Sequence, residues 1–151
     1  MVCRSATKAE PPAIVVACHL VISTPGTNAN PQRAAQVSQL LEVAGMLSTE
    51  DAVHVIAGDF NSDPTQPEMA MLANAGFTDA APPEPGLTWD QANPYTNQGD
   101  PESRDPDARI DYVWVKTNRP WERPPTATAR LVFNESPDFV SDHFGLLACV
   151  G

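Results

Sequence analysis

Residues 55–64, VIAGDFNSDP, decide which fold this chain can adopt. The segment begins as an apolar run and then places two acidic residues and an asparagine within five positions. In an extended segment, residues two apart point to the same face, so Asp59 and Asn61 can address one ligand while Phe60 packs the other way. Such a pair can hold a metal-bound or phosphoryl oxygen. The alternative is that Asp59 and Asn61 only cap a turn, as these residue types often do.

Strands and helices alternate on both sides of this segment. Residues 13–22, AIVVACHLVI, form a nearly continuous apolar run that is typical of a strand buried on both faces. The full set of predicted strands covers 13–22, 53–58, about 109–116, 127–134 and 144–150. The order is therefore β-α-β-α-loop-β-β-β.

Two helices are predicted between these strands. Apolar residues at helical spacing predict an amphipathic helix over 31–48, with Asn30 as its N-cap and Pro31 as its first residue. A shorter helix is predicted over 67–75. Gly76 ends it, because glycine takes the left-handed conformation at this position at the least cost.

Length, charge and the first residues limit the class of protein. The 151 residues fit one domain, which we assign to 13–151 after an N-terminal tail, 1–12. The formal net charge of -10 disfavours nucleic acid as a partner, because most of the surface repels polyanions. Residues 1–12 lack the apolar stretch of a signal peptide, so we expect a cytoplasmic protein. The run 13–22 is too short to span a bilayer, so no membrane span is expected.

Four further polar residues interrupt or end predicted strands. His19 lies inside an apolar run, where a hydrogen-bonded core histidine is the alternative to a catalytic one. Asp111 is either functional or paired with Arg109 on the same strand face. Asp142 and His143, in SDH, either act on a ligand or cap the last strand. Each of these signals is weak when it is taken alone.

The order of the motifs is much more specific than any one of them. The series CHL, GDFNSDP, TW, RIDYVWV and SDHFGL resembles the C-terminal half of the endonuclease/exonuclease/phosphatase superfamily, over about residues 13–150. This superfamily comprises metal-dependent phosphodiesterases, including DNase I-like nucleases and sphingomyelinases. The resemblance implies an α/β fold, the DNase I-like β-sandwich flanked by helices in four layers, α/β/β/α. This chain would supply one half of it, a single mixed sheet with helices on one face.

The resemblance also implies roles for the residues that match the motifs. His19 matches the histidine that contacts the scissile phosphate, and Asn61 matches an asparagine that bonds a phosphate oxygen. Asp59 matches the aspartate that orients or activates water. Asp111 matches the acidic partner of His143. The family leaves open whether the equivalent of Asp59 or that of His143 is the base.

A metal ion follows from the same resemblance, and a substrate class follows from the charge of the chain. Asp142, with Asp59 nearby, is the expected metal ligand, for Mg²⁺ or alternatively Mn²⁺. Trp89 and Tyr95 lie in a long polar loop and are expected to line or stack on the substrate, although both can instead anchor the loop. The acidic balance favours a small phosphodiester or a lipid headgroup over duplex DNA.

The departure from the family pattern leaves three hypotheses. The first half of the family fold supplies an asparagine and a glutamate that bind metal, and nothing before residue 13 matches them. The chain is therefore a phosphodiesterase or phosphatase, a truncated and weakly active half-domain that binds phosphate ligands or needs a complementary chain, or an acidic binding module. Motif order argues against the binding module. We expect a homodimer or a complementary half-domain, because helices on one face leave the other face of the sheet apolar and bare.

Overall fold

A computed structural model describes residues 2–5, 13–24, 26–47, 51–81, 86–96, 106–117 and 127–150. Within these ranges the chain forms seven strands and two helices. Their bounds are β1 Val2–Ser5, β2 Ala13–His19, α1 Asn30–Met46, β3 Val53–Asp59, α2 Pro67–Asn74, β4 Thr78–Asp79, β5 Asp111–Thr117, β6 Ala127–Val132 and β7 Gly145–Val150.

The predicted order of elements is confirmed, and the bounds differ at several ends. Strands β1 and β4 were not predicted, and β1 lies within the stretch that we treated as an N-terminal tail. Strand β2 ends at His19, three residues before the expected end. Helix α1 begins at Asn30 after the cap residue Ala29, so the prediction of Asn30 as the N-cap and Pro31 as the first helical residue is wrong by one position. Gly76 follows α2 in the left-handed conformation, as expected.

The main sheet has five strands in the order β1-β2-β3-β5-β4. Strands β2 and β3 are parallel and are joined through α1, whereas β5 runs antiparallel to β3. The register pairs His19 with Asp59 and Asp59 with Asp111. These three residues therefore form one row across three strands, at the end of the sheet where the carboxyl ends of β2 and β3 lie.

Both helices pack on one face of this sheet. Alternate residues of β2, β3 and β5, including Val16, Ile56 and Trp114, contact Val37 of α1 and Leu72 of α2 in one buried cluster. The period of two in the strands and of 3.6 in the helices brings these apolar side chains together. Neither helix among the described residues is long and apolar enough to cross a membrane.

Among the described residues, the opposite face is covered only in part, by a second sheet that was not predicted. Strands β6 and β7 pair with each other in a separate antiparallel sheet, so our assignment of all strands to a single sheet is wrong at this point. Ala129 of β6 packs near Val113 and Val115 of β5, while Val15 and Val55 farther along the sheet stay half-buried. Apolar alternation fixes which face of a strand is buried, but it does not fix which sheet the strand joins. The α/β class and the helices on one face are confirmed.

Candidate functional site

The row of His19, Asp59 and Asp111 gives the site its frame. Because the three residues are register partners, their side chains lie on the same face of the sheet, opposite the helices. The imidazole Nε2 of His19 lies 3.3 Å from Oδ2 of Asp59. The His19 side chain is 75% exposed, so the core-histidine alternative is wrong.

Asp59 is held by the residue two positions later. Its Oδ1 accepts a hydrogen bond of 2.7 Å from the backbone N–H of Asn61, which has a positive φ of 48°. The Asn61 amide donates to the carbonyl of Leu20 at 2.8 Å and to Oδ2 of Asp59 at 3.2 Å. The turn-capping alternative is therefore part of the geometry. Both amide hydrogens are directed at acceptors of the chain, so the predicted phosphate contact of Asn61 stays a prediction.

Burial raises the pKa of the Asp59 carboxyl. Desolvation is the largest cause, and the negative charge of Asp111 adds to it. The backbone hydrogen bond from Asn61 and the two nearby histidines, His143 and His19, act in the opposite direction without outweighing burial.

Asp111 is paired with His143 across 2.9 Å, from Oδ2 to the ring Nδ1. This hydrogen bond is the main cause that raises the pKa of His143, and it outweighs the lowering effect of burial. The buried hydroxyl of Thr88 accepts hydrogen bonds of 3.0 Å from the backbone N–H groups of Ile110 and Asp111. Arg109 pairs with Asp79 at 2.5 Å rather than with Asp111, so the structural alternative for Asp111 is wrong.

The loop that carries Trp89 also contacts His143, through both the backbone and the ring. Trp89 bridges to both Ala108 and His143, and its ring meets the imidazole edge to face at 5.0 Å between centroids. Asn93 is fully buried, and its amide donates to the carbonyls of Ser141 and Asp142 at 2.9 and 3.1 Å. Sequence reasoning missed Thr88 and Asn93, because a polar loop gives no sign of which members are buried. The TW pair was a usable signal for Thr88.

A cavity of about 520 Å³ brings most of the predicted residues together. Its lining includes His19, Asp59, Asn61, Trp89, Asp142 and His143. Tyr95 is 45% exposed and is not part of this lining, so its predicted substrate contact has no support from the structure. The described lining contains no lysine or arginine and adds Asp63, which leaves the cavity acidic.

The carboxylates in the cavity do not amount to a metal site. Asp59 and Asp142 both line it, but among the described residues no three His, Cys, Asp or Glu side chains converge to hold an ion. Asp59 already accepts hydrogen bonds at both oxygens, and Oδ1 of Asp142 is bonded to the hydroxyl of Ser141 at 3.0 Å. Mg²⁺ takes an octahedral set of oxygen ligands. The described residues therefore do not fit a complete Mg²⁺ site.

Comparison with known families agrees with this frame. The model of the Endonuclease/Exonuclease/phosphatase family matches residues 2–143. The chain belongs to the endonuclease/exonuclease/phosphatase family. The match covers every residue of the cavity named above, and it includes strand β1. No curated protein matches the sequence closely enough to count as a relative.

Solved structures show the same fold in longer chains. Beta toxin from Staphylococcus aureus has a TM-score of 0.72 and 19% identity, over 98% of this chain and 55% of that chain. TDP2 from D. rerio, complexed with a single-strand DNA product, has a TM-score of 0.69 and 22% identity, over 99% and 59%. A beta toxin variant with bound magnesium ions has a TM-score of 0.68 and 20% identity, over 96% and 55%. This family chain therefore spans a little over half the length of each.

Proposed function

We propose that this chain carries the water-activating half of a metal-dependent phosphoester or phosphodiester hydrolase. The single observation that carries the proposal is the His19-Asp59-Asp111 row, with His143 at 2.9 Å from Asp111. Hydrolysis of a phosphodiester needs a base near neutral pH and groups that meet the charge developing on the phosphoryl oxygens. His143 supplies the base and Asp111 its orienting carboxylate, and His19 adds an exposed imidazole beside them.

Each residue has a part in an in-line attack by water. Asp111 accepts a hydrogen bond from the Nδ1–H group of His143 and so fixes the ring tautomer, which leaves Nε2 free to take a proton from the attacking water. Asp59 orients this water, and Asn61 and Leu20 fix Asp59 in place. His19 projects into the cavity from the neighbouring strand, where it meets the phosphate or the leaving group.

Mg²⁺, or alternatively Mn²⁺, belongs to the proposal only with further ligands. A related structure, the beta toxin variant, holds magnesium ions, which supports a metal requirement. The described residues of this chain do not complete such a site. Oxygen ligands from beyond these residues are therefore needed for full activity.

A small phosphodiester or a lipid headgroup is the proposed substrate class. Acidic Asp63 and Asp142 line the cavity, and the net charge of the chain is -10. Both repel the dense negative charge of duplex DNA, which proteins bind mainly through lysine and arginine. Substrates with a single phosphoryl group meet less of this repulsion.

Turnover of bis(p-nitrophenyl) phosphate with Mg²⁺ or Mn²⁺ tests the proposal. We expect His143→Ala, Asp59→Asn and His19→Ala each to lower turnover by about 10²-fold or more without unfolding the protein. Asp138→Asn removes an exposed carboxylate outside the cavity and is the control for Asp59→Asn. Equal turnover in the wild type and all three site variants would reject the site.

A second candidate is a half-domain that binds phosphate ligands without efficient turnover. The incomplete metal set and the half-covered sheet face favour it. It predicts that inorganic phosphate binds and that binding weakens in His19→Ala, while turnover appears only after a complementary chain is added. Full turnover by this chain alone would exclude it.

A further inference from the structure

A buried ion pair connects the two helices directly behind the site. Arg33 of α1 is 4% exposed and Glu68 of α2 is fully buried. The guanidinium Nε donates to Oε1 of Glu68 at 2.6 Å. Hydrogen bonds from Arg33 and Ser62 outweigh the effect of burial and lower the pKa of Glu68, which favours the charged form of this carboxyl.

This pair is poorly explained as a source of stability. Removing two charges from water costs more than their attraction often returns, and apolar residues of similar size frequently replace such pairs without loss. The second oxygen, Oε2 of Glu68, is buried and has no hydrogen-bond partner among the described residues, which adds to the cost. A role in geometry accounts for the pair better.

The remaining donors of Arg33 reach the loop that follows β2. Nη1 donates to the carbonyl of Val21 at 3.3 Å and to the hydroxyl of Ser23 at 3.0 Å, and Ser23 lines the cavity. Nη2 donates to the side-chain oxygen of Asn30. Val21 follows Leu20, whose carbonyl accepts the Asn61 amide. Arg33 therefore holds the residue next to the Leu20 carbonyl to which the Asn61 amide donates.

Glu68 holds the residue that follows Asn61. Its Oε1 also accepts a hydrogen bond of 2.7 Å from the hydroxyl of Ser62, the residue next to Asn61. The carbonyl of Ser62 accepts the Tyr112 hydroxyl at 2.8 Å, which ties the same residue to β5. Asn61 has a positive φ, so its conformation depends on what holds its neighbours.

We propose that Arg33 and Glu68 are positioning residues that clamp residues 20–24 and 60–66 at the spacing that Asn61 and Asp59 require. The inference rests on the proposed function for its effect on turnover, but the clamp itself is a property of the two loops. A clamp built on donors of fixed geometry holds reacting groups more accurately than apolar packing does.

The double variant Arg33→Met/Glu68→Met tests the clamp, because it removes both charges and keeps apolar volume. We expect it to melt close to the wild type, and we expect the Asn61 side-chain amide to lose its slow hydrogen exchange in ¹⁵N NMR spectra. Turnover of bis(p-nitrophenyl) phosphate should fall about 10²-fold through kcat, as for a small misplacement of reacting groups. Arg33→Lys keeps a charge beside Glu68 but lacks the Nη donors, so it should show the same loss of Asn61 protection.

Val37→Ala is the matched control, because Val37 is fully buried on the same helix and takes no part in the network. It should lower the melting temperature while Asn61 stays protected. Retained protection of Asn61 in the double variant, or loss of protection in step with melting temperature across all variants, would overturn the proposal. An inactive wild type in which the double variant still loses Asn61 protection would reject the proposed function alone.

Discussion

At the scale of single residues, the site depends on a pairing of side chains that were far apart in sequence. His19, Asp59 and Asp111 come from three strands and meet only because the register aligns them. His143 joins through one hydrogen bond to Asp111. The chemistry of this pair is open to direct measurement.

Asp111→Asn is expected to lower the pKa of His143. The hydrogen bond and the charge of Asp111 hold that pKa above its usual value, and burial alone would lower it. The raised pKa stabilises the fold below about pH 6.5, and this contribution is lost as the pH rises through the folded value. NMR titration of the ring measures the shift directly, and an unchanged midpoint in the variant would show that Asp111 does not control the imidazole.

Mg²⁺ binding is expected to be weak, with a dissociation constant in the millimolar range. Asp59 and Asp142 are the only carboxylates predicted as ligands, and few charged ligands give low affinity. Calorimetric titration of the purified chain measures it. A tight site with one ion per chain would mean that acidic residues outside this pair complete the coordination.

The motif residues were predictable from sequence, and their supports were not. His19, Asp59, Asp111 and His143 each end or interrupt an apolar run, which is a visible anomaly. Arg33 was not visible in this way, because an arginine in the first turn of an amphipathic helix resembles an ordinary exposed residue. Its burial depends on Glu68, 35 residues later, and no local pattern encodes that contact.

At the scale of elements, β3 depends on a glycine one residue before Asp59. Gly58 has a φ of 142°, and a Cβ there would lie 1.9 Å from the carbonyl oxygen of Cys18 on β2. At this one position, β2 can lie beside β3 only because residue 58 has no side chain. The row of site residues begins at the next position.

Gly58→Ala is expected to destabilise the fold by about 3 kcal/mol or more, because strain and a backbone clash add together. Gly45 provides the contrast, since a Cβ on it meets nothing within 4 Å and it lies in α1. Gly45→Ala should stabilise the chain by roughly 0.5–1 kcal/mol through helix propensity. Chemical denaturation measures both changes, and a neutral Gly58→Ala would contradict the close approach.

The buried His54 on β3 is expected to make the fold sensitive to acid. Burial, and next the charge of Lys116, lower its pKa below the usual 6.5. A lowered pKa gives stability above about pH 6.5 that is lost as the pH falls through the folded value, because the unfolded chain takes up the proton more readily. The pKa of His143 is raised rather than lowered, so its effect on stability has the opposite sign. The effect of His54 is therefore measured by comparing the wild type with a variant that changes His54 alone. Between pH 7.5 and 5.5, the melting temperature should fall less steeply with falling pH for His54→Asn than for the wild type.

The strands and helices could be predicted from the spacing of apolar residues and from residues that end an element, but the way in which the strands assemble could not. Apolar runs and Gly76 located the predicted strands and the end of α2 closely. The pairing of β6 with β7 in a separate sheet was missed, because the alternation within a strand does not show which distant strand it pairs with. The short strand Thr78–Asp79 carries too few residues to show any period.

At the scale of the whole molecule, the face of the main sheet opposite the helices has more apolar surface than β6 and β7 bury. Val15, Val53 and Val55 are half-buried and Ala17 is exposed, because among the described residues β6 and β7 cover the β5 side of this face and reach β3 only in part. The described positions of β2 and β3 on this face carry no charge until His19 and Asp59. Such a face favours association with a like surface.

We propose that a second copy of the chain covers this face in solution. Val15→Glu and Val55→Glu should each shift the chain toward monomer in sedimentation experiments, because a charge there opposes burial against an apolar partner. Val43→Glu, on an exposed position of α1, should leave the association unchanged. A monomeric wild type that binds no hydrophobic dye would contradict the prediction, and a partner of different sequence on this face would replace it.

The register of β2, β3 and β5 has a consequence for how errors in this protein would show themselves. A slip of one residue between two strands turns every side chain to the other face. In this sheet, the same slip would send His19 or Asp111 toward the helices and expose core residues such as Ile56. A register-shifted form of this sheet would therefore lose the row of site residues together with its packing, and the hydrogen bond between His143 and Asp111 would report correctly folded molecules.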